Sequence, residues 1–208
     1  MAAEEDYGRP AVLLNPLEGD PTDADSHIGG PMLWPIDSEW PWCDVDGEPF
    51  VGAVQLYQRD FPELPFPEGT DLLQLFLCTL DHDIRGPDVR LVWRDSSSVV
   101  ELIEEEPQPS RQEELYVPTL NVFEPIRFVE YPEKVSGGSK IGGWTAWYES
   151  GPLEFSCPEC GSVQRQTLSL ATHEPSGDDV EWEFGNEGNL NILLCPQDVH
   201  HPIKVHVD

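Results

Sequence analysis

Positive charge is what this sequence has least of. Lys and Arg number 11 against 40 Asp and Glu, for a formal net charge of −29. Such a chain repels nucleic acid and anionic lipid and speeds encounters with basic partners, which argues against a nucleic-acid or membrane-surface role. The acidity does not by itself define a partner face, because acidic surfaces also follow the salt or genomic background of a source organism. Long apolar runs are absent too, and Met1-Ala2-Ala3-Glu4-Glu5-Asp6 is acidic where a secretory signal would be basic and then apolar. The expectation is a cytoplasmic protein. Cysteine is scarce and odd in number, five in all, with two in Cys157-Pro158-Glu159-Cys160, a pattern that suits thiols or a metal rather than a secreted disulfide framework. Catalytic signatures are also missing: there is no Gly-x-Ser-x-Gly and no His-Glu-x-x-His. Asp81-His82-Asp83 and His200-His201 fall at strand ends, where solvated polar residues are ordinary. Helix signals are few, the best being Ser110 to Tyr116 with Ser110 as cap.

What the chain does have is aromatic and apolar content, 38% hydrophobic with seven Trp, so it is acidic without being disordered. It also repeats itself. Ser26-His27-Ile28-Gly29-Gly30, followed by Trp34, has the skeleton of Ser139-Lys140-Ile141-Gly142-Gly143 followed by Trp147, at an offset of 113 residues (139 − 26). Cys43-Asp44-Val45-Asp46-Gly47 then falls against Cys157-Pro158-Glu159-Cys160-Gly161 at 114 (157 − 43), and Leu73–Cys78 against Leu190–Cys195 at 117 (195 − 78). Each copy closes on a strand-like run, Val89–Asp95 and Ile203–Asp208. Each also opens on one, Ala11–Leu14 and Pro125–Val129.

Four matches in one order predict an internally duplicated, mostly β fold with few short helices, its two similar β-sheet halves packed as one globular unit. Residues 1–9 read as a loose acidic terminus, 10–100 as the first repeat, 101–117 as an acidic, proline-containing linker, and 118–208 as the second repeat. Paired glycines permit positive φ and close backbone approach, so Gly29-Gly30 and Gly142-Gly143 read as tight turns that tuck Trp34 and Trp147 onto their sheets. Together with Gln55 these are also the positions where a bound ligand would be sought. A phosphate loop is disfavoured, since neither copy has the following Lys-Ser/Thr or a helix-forming sequence.

The sharpest local chemistry is Cys157-x-x-Cys160, two thiols spaced to wrap one tetrahedral metal. A second knuckle begins at Cys195, where Asp198 stands in place of its second Cys and His200 follows. Cys157, Cys160 and Cys195 with either Asp198 or His200 would give zinc four ligands and a structural site in the second repeat, although the stretch from Cys160 to Cys195 is longer than in common zinc ribbons. Two other readings stand beside it: a redox pair, or inert thiols with Cys195 simply ending a strand. The first repeat has Cys43-x-x-Asp46 and Cys78-x-x-Asp81-His82, one Cys per knuckle, which reads as a degenerate, metal-free copy.

Through Ile28-Gly29-Gly30-x3-Trp34-Pro35, Gln55-Leu56 and Leu72-Leu73-Gln74-Leu75-Phe76, and through Lys140-Ile141-Gly142-Gly143-Trp144, the chain resembles the YwqG-like bacterial family, a domain of unknown function, over residues 10–208. That family's association with bacterial toxin neighbourhoods implies an immunity- or antitoxin-like binder. The second copy, with Ile-Gly-Gly-x3-Trp, Cys-x-x-Cys and a β run ending at Cys195, also resembles the eukaryotic programmed-cell-death-two type proteins. That resemblance implies a dedicated chaperone for a basic ribosomal protein. The chain departs from them in lacking complete Cys pairs in its first half and in having Asp198 where the last Cys would stand. The expectation is a non-enzymatic module that binds a protein partner, a basic one by charge complementarity. The alternative is a metal-dependent hydrolase working in the cleft between the repeats.

Overall fold

The computed structural model describes residues 7–82, 86–111, 113, 116–178 and 180–208, with Asp81 through its backbone alone. Met1 to Asp6, Asp83, and Gln112, Glu114 and Leu115 of the short helix expected after Ser110 lie outside the described residues. In chain order the strands of the first half are β1 (Arg9–Leu13), β2 (Pro16–Glu18), β3 (His27–Ile28), β4 (Val51–Tyr57), β5 (Leu72–Asp81) and β6 (Pro87–Arg94). Those of the second half are β7 (Asn121–Phe123), β8 (Ile126–Glu130), β9 (Lys140–Gly142), β10 (Arg165–Ala171), β11 (Asn189–Leu194) and β12 (Lys204–Val207). A 3-10 turn, Ser96–Ser98, is capped by the Asp95 carboxylate. Among the described residues no helix is long and apolar enough to cross a membrane.

The strands form two six-stranded antiparallel sheets, ordered β8-β1-β9-β10-β11-β12 and β2-β7-β3-β4-β5-β6. Numbered within its own half, each sheet reads second, first, third, fourth, fifth, sixth, but the first strand comes from the other half. β1 lies between β8 and β9, and β7 lies between β2 and β3. The likeness extends to register. β4 and β5 slip between Gly52 and Val54, and β10 and β11 slip at the matching place between Gln166 and Leu168. A bulge at the same point in both sheets bends each in the same way.

One sequence expectation changes here. Residues 125–129 are not the counterpart of 11–14 but their partner: Ala11 pairs with Phe128 and Leu13 with Ile126. By position the counterpart of β1 is β7, whose three residues Asn121-Val122-Phe123 are too short and too polar at the start to announce a strand.

The sheets face one another across a single apolar cluster to which both contribute, including Val12, Ile141, Leu168, Leu170, Leu190 and Ile192 from one and Ile28, Val54, Leu56, Leu73, Leu75 and Leu77 from the other. Alternation along β5 turns Phe76 and Cys78 to the outer face, where Met32, Trp34, Trp40, Cys43 and Phe50 cover them. Strands covered on both faces explain why Leu72–Leu77 and Leu190–Leu194 read as continuous apolar or mixed runs rather than as clean alternation. A polar row crosses the outer face of each sheet at the same level: His27, Gln55 and Gln74 in one, Lys140, Ser169 and Asn191 in the other. All six side chains are buried.

The segment read as a linker joins the halves but is strapped down. Ile103 N–H donates to Trp34 O at 2.9 Å, Met32 N–H to Glu106 Oε1 at 2.6 Å, and Tyr116 lies in the shared core. Burial raises the Glu106 carboxyl above the ordinary range.

Candidate metal centre

The Cys157 knuckle is built by a short hairpin. Ser156 and Val163 form an antiparallel bridge, Cys157 N–H donates to Ser162 O at 2.8 Å, and Gly161 N–H donates to Cys157 O at 2.9 Å. Pro158 suits the turn's first corner, and Gly161 at φ +74° takes the left-handed conformation that closes it. The turn directs both thiols to the end of β11. There Cys195 follows the last strand residue on the outer face, and Pro196 stops the ladder.

His201 completes the group. Its Nδ1 lies 3.5 Å from Cys157 Sγ and 3.4 Å from Cys195 Sγ, and Cys160 Sγ is 3.4 Å from Cys195 Sγ. All four donor atoms lie within 4.8 Å of one another. Tetrahedral zinc with ~2.3 Å bonds to sulfur and ~2.05 Å to nitrogen would set sulfur–sulfur edges near 3.8 Å and sulfur–nitrogen edges near 3.6 Å. The group is therefore close to the size of a coordination shell, and the sulfur pair is far too long for a disulfide at ~2.05 Å. Outside it, Glu159 Oε2 lies 3.4 Å from His201 Nε2, placed to orient the ring, and Gln197 N–H points at Cys195 Sγ from 3.4 Å. Hydrogen bonds from the Ser162 side chain and backbone, with help from Cys195, lower the Cys160 thiol to about 6, whereas burial raises that of Cys195. A readily ionised Cys160 suits metal capture. The redox reading has less support, because Cys160 is followed by a hairpin and not by the helix such pairs open.

Neither residue expected as the fourth ligand belongs to this cluster. Asp198 Oδ1 accepts the backbone N–H of His200 at 2.9 Å, and both residues line a neighbouring cavity of about 550 Å³ that also includes Arg165, Gln166 and Glu63. The Asp198 turn exposes His200 and presents the next residue, His201, to the thiols. Adjacent histidines differ only by the phase of one tight turn, which is why the spacing could not choose between them.

The first half holds a second such group, contrary to its reading as a degenerate copy. Cys43, Asp46, Cys78 and His82 bring their donor atoms within 4.8 Å of one another. The hairpin is the same: Trp42 bridges Pro49, Cys43 N–H donates to Glu48 O, and Gly47, at φ +67°, donates its N–H to Cys43 O. Asp46 occupies the place of Cys160. Burial, the larger cause, and the Cys43 thiol push the Cys78 thiol up to about 12. His82 is the donor the sequence comparison undervalued, and Asp81's side chain and Asp83 lie outside the described residues.

The double glycines hold architecture. Gly29 (φ +71°) and Gly142 (φ +68°) each abut backbone of the other half, just ahead of β7 and within β1 respectively: a Cβ on Gly29 would come within 2.5 Å of Thr119 O, and one on Gly142 within 2.7 Å of Pro10 O. Gly30 and Gly143 continue the turns under the side chains of His27 and Glu130 respectively. His27 Nδ1 accepts Gly30 N–H at 3.1 Å while its Nε2 donates to Pro31 O at 3.0 Å; Glu130, paired with Lys140, accepts Trp144 N–H at 2.5 Å. Trp34 is buried in an edge-to-face triad with Trp40 and Phe76, at centroid distances of 5.3 and 5.2 Å. Trp147 is half-buried beside His206 at 5.6 Å. Gln55 accepts Leu33 N–H and donates to Asp23 O, pinning the loops on both sides of β3, so its side chain is committed to the fold. No protein-family model matches the chain, and no curated protein matches it.

Proposed function

We propose that the protein is a non-enzymatic binding module for a basic protein segment, with a structural zinc ion held by Cys157, Cys160, Cys195 and His201. Three thiolates and an imidazole form the soft tetrahedral set that zinc favours, and four protein ligands leave no open position for a reacting water. That closed shell is the reason to prefer a binder over a hydrolase. Among the described residues lining the cavity near His200, the one thiol is Cys195, which the proposed ion would occupy.

The observation that carries the binding reading is where the acids lie. Among the described acidic residues only Glu48, Glu130 and Asp208 are buried and several more, Asp46 and Glu106 among them, are half-buried, so most of the negative charge faces outward. On the outer side of the first half, the exposed apolar residues Ile36, Trp42 and Leu102 lie among exposed Asp37, Glu39, Asp44 and Glu101. Ile36 N–H bonds Glu101 O at 3.0 Å, and Trp42 shares a shallow cavity of about 410 Å³ with Glu39, Asp44 and Arg90. The Arg90 guanidinium pairs with Asp44 at 3.0 Å, which among the described residues leaves Glu39 and the neighbouring Asp37 and Glu101 as the acids of the face without an ion pair. An aromatic anchor within an acidic rim fits a segment that alternates Lys or Arg with apolar residues. The resemblance to chaperones of basic clients and to immunity-type binders points the same way.

The test is capture of partners from the source organism with the wild-type protein and with Trp42→Ser. The expected result is one basic protein at near-equal amount, retained less as salt rises and much less by the variant. Equal retention by wild type and variant would place the contact elsewhere and defeat the assigned face.

A further inference from the structure

We infer that the first half holds a metal ion of its own, ligated by Cys43, Asp46, Cys78 and His82, so that each chain carries two. The geometry is independent of the binding function proposed above. Cys43 Sγ lies 3.5 Å from Asp46 Oδ2 and 3.5 Å from His82 Nε2. Cys78 Sγ lies 3.6 Å from Asp46 Oδ2 and 3.2 Å from His82 Nε2, and the nitrogen and carboxylate oxygen are 3.0 Å apart. Around a zinc-like ion the sulfur-to-nitrogen or sulfur-to-oxygen edges would be roughly 3.6 Å and the nitrogen–oxygen edge roughly 3.3 Å. Five edges of one small tetrahedron are thus present together.

Pairwise hydrogen bonding accounts for this less well. Each thiol has a single proton to donate, yet each sulfur is near both the carboxylate and the imidazole nitrogen. Two cysteines, both 1% exposed, turn toward one carboxylate and one imidazole, donor types that can share a single cation. The shell around the donors is built as well. Asp46 N–H points at Cys43 Sγ from 3.5 Å, as Gln197 N–H does at Cys195 in the second half. The hairpin is held in place from outside: Arg111 donates to Asp46 O at 3.2 Å, and Glu48 accepts from Ser110 N–H at 2.8 Å and from Arg111 Nε at 3.1 Å.

Two thiolates and a carboxylate give the ligand set the same formal charge as three thiolates, so Asp46 in place of Cys160 preserves the charge while substituting a harder donor. The first-half ion should therefore leave before the second-half ion when a chelator competes for both.

The test is metal counting by native mass spectrometry on full-length protein purified without chelator and loaded with zinc. Two ions per chain are expected, falling to one in Cys43→Ser/Cys78→Ser and to one in Cys157→Ser/Cys195→Ser. Wild type that saturates at one ion, or a first-half variant that keeps two, would overturn the inference. Cobalt titration of the unmutated protein gives a check that does not depend on variants folding. Sulfur-to-cobalt charge-transfer absorption should keep rising through a second equivalent, to a final intensity of about five thiolates against three for one site, as the two ligand sets require. A plateau after one equivalent contradicts it.

Discussion

His27 and Lys140 occupy the same place in the two polar rows, and each is a buried titratable group held by a different means: His27 bonds its turn directly, whereas Lys140 pairs with the Glu130 that does so. Lys140 and Glu130 are both fully buried, with Nζ 2.8 and 2.9 Å from the two carboxylate oxygens. Burial pulls the lysine below its ordinary range even though Glu130 opposes the shift. Removing one partner of such a pair costs about 3–5 kcal/mol because a charge is left stranded. The two removals should not cost the same. After Lys140→Met, Glu130 still accepts N–H groups of Ser136 and Trp144; after Glu130→Ala, the ammonium keeps only Ser136 O. Urea denaturation should therefore find Glu130→Ala the more damaging by about 1–2 kcal/mol.

His27 is neutral by design of its surroundings: burial lowers it from 6.5 to about 4. Its folded value lies below its unfolded one, so its contribution is fully present above pH 6.5 and is lost as pH falls toward 4, by roughly 3 kcal/mol in total. The stability gap between wild type and His27→Gln should shrink by up to that amount between pH 7 and pH 4.5. A gap that does not change with pH would mean that His27 is protonated or solvated in the fold.

At the scale of elements, the exchanged first strands explain the glycines. Because β1 and β7 each lie against the turn of the opposite half, Gly29→Ala and Gly142→Ala should each cost roughly 1–3 kcal/mol, from strained φ and from contact with a backbone carbonyl that cannot move aside. Thermal melts of the two variants check this. The correspondence between the middles of the two sheets was legible in the sequence, since the offsets 113, 114 and 117 fall on β3/β9, the knuckles and β5/β11, where glycine, cysteine and apolar strand residues leave clear marks. The exchange was not legible, because it is carried by β7, three residues with no periodicity to read, and by pairings more than a hundred residues apart. At the site, three thiols were readable from spacing. The choice of His201 was not, because it depends on how one turn at Asp198 is wound, and the first-half set read as a degenerate, metal-free copy because its donors are of three kinds with one Cys per knuckle.

At the scale of the whole molecule, each half contributes its first strand to the other's sheet, the arrangement that a duplication followed by strand exchange would produce. Neither residues 7–100 nor 118–208 should fold alone, since each would lack a strand from the interior of its sheet. Mixing the two pieces should restore β-sheet circular dichroism that neither shows separately. The proposed ions would enter the stability of this unit by linkage, because a hairpin bound to a strand end by an ion is stabilised only while the ion is bound. Stripping metal at neutral pH should lower the melting temperature by several degrees, on the order expected for a loss of ~2 kcal/mol or more from a domain of this size, and zinc should restore it.

The central claim is that an acidic, metal-held β scaffold recognises a basic protein. The most direct measurement is the binding of the captured partner to the zinc-loaded protein as a function of ionic strength. The account predicts near 1:1 binding that weakens by on the order of tenfold as added salt shortens the screening length from about 10 Å toward 3 Å. Affinity unchanged by salt, or no protein retained even at low salt, would contradict it.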